Sequence, residues 1–300
     1  MNYIQPEPLL PGDKVIIVSP SGAVDPDYVV KALPLLESWG LQCEIAPHAL
    51  RRLGRFCGTV AERLSDLQAA MDDKEAKAIL CSRGGYGIVH LLEELDFTVI
   101  KNVPKWLIGY SDITALHSAF FKNGILSLHA PMVKHLALDA TAYSTEQLKC
   151  ALFEHFPNFE VEGHSLNQSG RATGRLFGGN LSVLCALMGT PYMQFEEDII
   201  LFIEDIGEKP YQIDRMIWQL KLAGVFHRIS GLIVGQFTDY EEDPQMYAPV
   251  YESIKDALSE YSFPICFDFP VGHVPYNYPL VHGSQIIFDV RPDKVHLVQS

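Results

Sequence analysis

The sequence predicts an α/β protein with a parallel sheet in its N-terminal part and a second α/β domain after it. Two observations carry this prediction. Aliphatic runs such as KVIIV (14–18), AKAIL (76–80), IILFI (199–203) and GLIVG (231–235) are strand-sized and mostly apolar, the pattern of strands covered on both faces. Helix-like stretches separate them, and strands that alternate with helices pair in parallel. A length of 300 residues allows two domains of ordinary size, each with its own core.

In order, KVIIV is followed by a helix from about Pro26 to Trp39 that Gly40 stops, the strand LQCEI, a helix near 60–72 and the strand AKAILCS. A short helix after Gly87, the strand KWLIGY, a helix from Asp112 to Phe121 and the strand GILSL complete the first half. The rhythm then weakens into HFPNFEVEGHSLNQSGRAT, polar and turn-rich. This places an N-terminal domain at 1–160, a linker at 161–170 and a C-terminal domain at 171–300. The second half offers a helix from Asn180 to Met188, IILFIE, an amphipathic helix near 210–223, GLIVG, a helix near 247–260, and the late strands QIIFDV and VHLVQ. No internal repeat is visible.

The formal charge of −14, from 23 basic and 37 acidic residues, argues against a nucleic-acid partner, since no basic stripe interrupts it. The N-terminus MNYIQPEPLLPGDKV has neither a basic nor an apolar leader region, and the aliphatic runs are too short to span a bilayer. A cytoplasmic protein without membrane contact is expected. Six scattered cysteines contain no C-x-x-C pair and read as reduced core residues. Eleven histidines show no zinc spacing, so neither metal nor cofactor is expected.

In a parallel sheet, ligands bind beyond the C-terminal strand ends, and three places there could carry chemistry. CSRGGYG (81–87) has adjacent glycines whose unobstructed amides suit an anion or a developing oxyanion, yet equally suit a plain turn. IGYSDITALH (108–117) turns from strand to helix at Ser111, the geometry of a nucleophile elbow. Ile113 stands where the second glycine of G-x-S-x-G would be, and a helix cap at Ser111 or Asp112 is the bland reading. The third place combines LFIEDIGEKPYQIDR (201–215) with FPVGHVPYNYPLVHG (269–283). Glu204 could orient an imidazole and His273 could be that imidazole; Asp205 and Glu208 rival the acid, and His282 and His117 rival the base.

Taken in order, SRGGYG, IGYSD, GRLFGGNLSVLCALMGTPY, LFIEDIGEKPYQIDR and PVGH resemble the LD-carboxypeptidase family of serine peptidases, which includes muramoyltetrapeptide carboxypeptidases and microcin-immunity hydrolases. The resemblance implies an N-terminal α/β domain carrying the serine, a mixed, partly barrel-like C-terminal domain carrying acid and histidine, and a homodimer. It places the catalytic triad on Ser111, Glu204 and His273, and the oxyanion donors on the amides of Asp112 and Gly85. The segment VPYNYPLVHG departs from the pattern, with Val281-His282 where a proline-rich apolar stretch is expected.

In such a triad His273 takes the Ser111 proton during attack and returns it to the leaving amine, while Glu204 supports the imidazolium. Arg83, beside Gly84, is the candidate to hold a substrate carboxylate, with a structural salt bridge as its alternative. The expected activity is removal of terminal D-alanine from a murein tetrapeptide in cell-wall recycling. A peptide-nucleotide antibiotic is the alternative substrate, which would need extra aromatic groups to stack its base, whereas Trp39, Trp106 and Trp218 read more easily as core or helix-face residues. A non-catalytic ligand-binding protein is the alternative of another class.

Overall fold

The computed structural model describes residues 3–193 and 198–299. The first strands are β1 (Lys14–Val18), β2 (Gln42–Ile45), β3 (Ala76–Cys81), β4 (Trp106–Gly109), β5 (Ser127–His129) and β6 (Phe159–Glu162). After them come β7 (Gly170–Asn180), β8 (Ile199–Ile206), β9 (Ile229–Thr238), β10 (Ile265–Cys266), β11 (Leu280–His282), β12 (Gln285–Val290) and β13 (Lys294–Gln299). The helices are α1 (Pro26–Ser38), α2 (Val60–Asp72), α3 (Thr98–Asn102), α4 (Thr114–Lys122), α5 (Val133–Leu138), α6 (Tyr143–Phe153), α7 (Leu181–Ala186), α8 (Pro210–Leu222) and α9 (Val250–Ala257). Local chemistry sets their ends. Asp25 caps α1 through the Asp27 N–H and Pro26 opens it, while Thr59 and Glu62 form a reciprocal capping box on α2. No helix among the described residues is long and apolar enough to cross a membrane.

The chain divides into two compact units, Met1–Phe156 with Tyr278–Gly283, and Pro157–Asn277 with Ser284–Ser300. In the first, six strands run in the order β11-β5-β4-β3-β1-β2. All neighbours are parallel except β11, which pairs antiparallel with β5. Val15, Ile17, Leu80, Ile108 and Leu128 bring the strands into one core with Val29, Ala32 and Leu36 of α1. Because β4, β3 and β1 are adjacent and parallel, the loops after them leave from one edge, bringing the segments near Gly22, Gly84 and Ser111 together.

The second unit holds seven strands in the order β10-β9-β8-β7-β12-β13-β6. β7 to β10 are parallel neighbours, and β12, β13 and β6 are antiparallel. The sheet is mixed, and it curls: β6 forms one edge, yet Gln168, six residues beyond it, bridges to Ile265 of β10 at the other edge. Six extended residues reach only about 20 Å, too short to cross a flat sheet of this width. This is the mixed α/β arrangement with barrel-like curvature that the resemblance implied.

Residues 161–170, expected as a linker, belong instead to this second unit. β6 pairs with β13, and the Gln168 amide donates to the Tyr261 and Phe263 carbonyls. Their polarity misled because β6 is an edge strand, with two of its four side chains in solvent.

Candidate active site

Ser111 stands at the C-terminal end of β4. Tyr110 is still extended, and Ser111 then adopts φ 68 before a 3₁₀ turn at Ser111–Ile113 leads into α4. A residue bearing a Cβ seldom takes this left-handed conformation, and it persists only where neighbours hold it. Here the buried Asp112 carboxylate accepts the Ser21 hydroxyl at 2.5 Å and the Ile88 N–H at 3.1 Å. Burial raises the Asp112 carboxyl above its ordinary range, against these hydrogen bonds and the charge of Arg63. Arg63, also buried, donates to the Pro20 and Gly87 carbonyls and so ties both flanking loops to α2.

The glycine loop lies against this turn. A Cβ on Gly84 would stand 2.7 Å from Ser111 Cβ and 2.9 Å from its Oγ, so only glycine lets the loop approach the hydroxyl. Gly85, at φ 132, is solvent-exposed, and its N–H donates to no acceptor among the described residues. Arg83 is half-buried, donates to the Ala23 carbonyl at 3.1 Å, and forms no ion pair among the described residues. The structural salt bridge weighed for it is therefore not present among them.

In the second unit Glu204 is fully buried near the end of β8, and its Oε2 lies 2.8 Å from His273 Nδ1. Two residues of β9 oppose Glu204 alone, because the register shifts between Ile203 and Asp205. Such a bulge re-aims a side chain near a strand end. The His273 loop comes close because residue 272 is glycine: at φ 126, a Cβ there would meet Glu204 Oε2 at 2.9 Å. The Asn277 side chain holds that loop through the Gly272 N–H. Burial disfavours a charged His273, but the charge and hydrogen bond of Glu204, with Asp205 and Asp239, outweigh it and raise the imidazole above its ordinary value.

The rival residues lie in other settings. Asp205 points away from Glu204, as consecutive strand residues do, and accepts the Asn180 side-chain amide and the Ser182 N–H at the start of α7. Burial, then the charge of Glu204, pushes its carboxyl up to about 6. Glu208 lies past the strand, half-buried. His117 and His282 are both fully buried in the first unit. The departure at Val281-His282 is thus part of β11, a strand of that unit's sheet. Sequence reasoning passed over Ser21, Arg63 and Asn277. Asn180 alone carried a signal, as a cap residue directly before an apolar helix.

The first unit thus carries a strand-to-helix serine turn beside a glycine loop, and the second a buried carboxylate hydrogen-bonded to a histidine, each a kind of part that serine hydrolases use. Family comparison narrows the class. Residues 15–130 match the LD-carboxypeptidase N-terminal domain and residues 173–287 the LD-carboxypeptidase C-terminal domain. A relative from Synechocystis sp. is 37% identical over 290 residues, covering 96% of this chain and 95% of its own. The murein tetrapeptide carboxypeptidase of Pseudomonas aeruginosa is 30% identical, covering 92% of this chain and 93% of its own. Among solved structures, the muramoyltetrapeptide carboxypeptidase of Oxalobacter formigenes superposes with a TM-score of 0.87 at 26% identity, over 96% of this chain and 98% of that one. The chain belongs to the LD-carboxypeptidase family, and it is a serine-type hydrolase.

Proposed function

We propose that the protein is a murein tetrapeptide LD-carboxypeptidase, releasing the terminal D-alanine with Ser111 as nucleophile, His273 as general base and Glu204 as the acid that orients it. The observation that carries the assignment is the 2.8 Å contact between His273 Nδ1 and the buried Glu204 carboxylate. An imidazole held at Nδ1 would turn Nε2 to the serine. In the reaction, Ser111 Oγ bonds to the scissile carbonyl carbon as its proton passes to Nε2. The carbon–nitrogen bond then breaks, the same proton going to the departing amine. Water, deprotonated by the imidazole, releases the acyl group and restores the serine. The amides of Asp112 and Gly85 would hold the oxyanion, each such donor being worth about 3 kcal/mol in related chemistry. Arg83, with Gly84 beside it, would take the carboxylate of the leaving residue. A cytoplasmic homodimer working on recycled peptides belongs to the same proposal.

The tryptophans bear on the antibiotic alternative. Trp39 and Trp106 are buried core residues, and the exposed Trp218 on α8 is covered by Lys221, 4.8 Å from its ring centroid. Incubation with murein tri-, tetra- and pentapeptides, and identification of the released amino acid, tests the proposal. D-alanine should leave the tetrapeptide, and the pentapeptide should be cut poorly. Its last bond joins two D-centres, and a nucleophile fixed on one face of the carbonyl meets the inverted centre out of line. Efficient release from the pentapeptide but not the tetrapeptide would reject the LD assignment.

A further inference from the structure

Ser111 is braced downstream by the Asp112 carboxylate, and a second brace acts upstream. The Gly109 carbonyl, at the end of β4, accepts the Ala130 N–H at 3.2 Å and lies 2.8 Å from His117 Nε2. A carbonyl cannot donate, so Nε2 carries the hydrogen, and in the neutral ring Nδ1 accepts from the Ser127 hydroxyl at 2.8 Å. Burial keeps His117 neutral by moving it down to about 4. The imidazole is thus a fixed strut between β5 and the residue two positions before the nucleophile.

His282 completes the strut. Its ring lies on that of His117 with centroids 4.4 Å apart and planes 12° from parallel. β11 pairs antiparallel with β5, setting His282 opposite Ser127, the same residue whose hydroxyl holds His117. The chain reaches this position by leaving the second unit for only Tyr278–Gly283. Nine positions after His273, it supplies the outermost strand of the sheet that carries Ser111.

We infer that His117 and His282 are positioning residues for the nucleophile: His117 fixes the Gly109 carbonyl, and the face of His282 holds the His117 ring in the plane that this hydrogen bond requires. The inference rests on Ser111 being the nucleophile. A core role alone would be met by any aromatic pair of similar volume; a positioning role needs a face at 282 and an N–H donor at 117.

The rate of fluorophosphonate labelling at Ser111 tests this without a peptide substrate. Wild-type protein should be labelled and Ser111→Ala should not; an unlabelled wild type would end the nucleophile reading itself. Given labelling, His117→Phe, which keeps a ring but removes the donor, should slow it about tenfold, the rate equivalent of ~1.4 kcal/mol. It should lower kcat on the tetrapeptide by the same factor with KM within about twofold. His282→Phe, which keeps the face, should label within about twofold of wild type, and His282→Ala should be slow like His117→Phe. If His282→Ala fails to fold by circular dichroism, the two phenylalanine variants decide. A slow His117→Phe with a fast His282→Phe supports the inference, whereas equal rates in the pair, the reverse order, or a folded His282→Ala labelling at the wild-type rate would overturn it.

Discussion

At the Ser111 turn the backbone bears the constraint, whereas at the Glu204–His273 pair the side chains bear it. Ser111 is held at φ 68, its neighbours anchored by the Gly109 carbonyl upstream and the Asp112 carboxylate downstream. His273 sits in a loop rich in glycine and proline and takes its orientation from Glu204 Oε2 and from Asn277 beneath Gly272. The nucleophile must present its oxygen at one fixed point, which suits a strained turn. The base must give and take a proton, which calls for a partner that stabilises its charged form without displacing it. The difference predicts distinct failures for the two regions.

The largest effect should follow removal of the nucleophile. Ser111→Ala should lower kcat by about 10⁵ to 10⁶, since the members of a triad act as a unit. Ser111→Gly should be equally inactive but more stable by about 1 kcal/mol, because glycine relieves the left-handed backbone. Thermal melts would check this, and a Ser111→Gly protein melting below Ser111→Ala would show that the turn stores no strain.

Next in size is the acid. Glu204→Gln keeps the shape and removes the charge, so kcat should fall by roughly 10⁴. Asp205→Asn should keep activity within about tenfold and instead cost about 1–2 kcal/mol of stability, because an amide group would face the Ser182 N–H that Asp205 now accepts. Steady-state kinetics and denaturant melts on both variants separate the roles; a larger kinetic loss in Asp205→Asn would exchange them.

The pH profile sharpens the same contrast. The base works only when neutral, and Glu204 raises His273, so kcat/KM should fall on acidification with its midpoint above the ordinary histidine value of about 6.5. In Glu204→Gln the charge that raises the imidazole is gone while the burial that lowers it remains. The residual activity should therefore lose its acid limb at lower pH than wild type. An unmoved limb would mean that another group titrates.

The smallest effect expected is at the carboxylate clamp. C-terminal amidation of the tetrapeptide should reduce kcat/KM about tenfold, ~1.4 kcal/mol, and Arg83→Ala should narrow the gap between free and amidated peptide. An unchanged gap in the variant would place the anchor on another residue.

Much of this contrast could be read from the chain before any coordinates. The strand-turn-helix at IGYSD is visible because apolar runs and helix starts are local signals, and β3, β4 and α4 fall close to where those signals put them. The segment 161–170 was misread for the converse reason: an edge strand displays polar side chains like those of a connector, and only its pairing with β13 tells them apart. Likewise, residue type alone does not rank Glu204 above Asp205 in EDIGE, and only the family resemblance put the acid on Glu204. The bulge opposite β9 and strand alternation send one side chain to His273 and the other to the cap of α7.

By itself, the sequence determined the α/β class, the place of the strand-to-helix turn at Ser111 and of the glycine loop, and through the order of its motifs the family. These depend on residue type and short-range periodicity, which survive without knowledge of distant contacts. Tertiary structure decided how Glu204 meets His273 across 69 residues while Asp205 turns to the cap of α7, that Arg63 and Ser21 brace the Ser111 turn, and that His282 lies in the sheet of the first unit. Those outcomes depend on strand order, register and the return of Tyr278–Gly283 to the first sheet. A side chain's partner is fixed by which strands become neighbours, and that is settled by burial of the whole core.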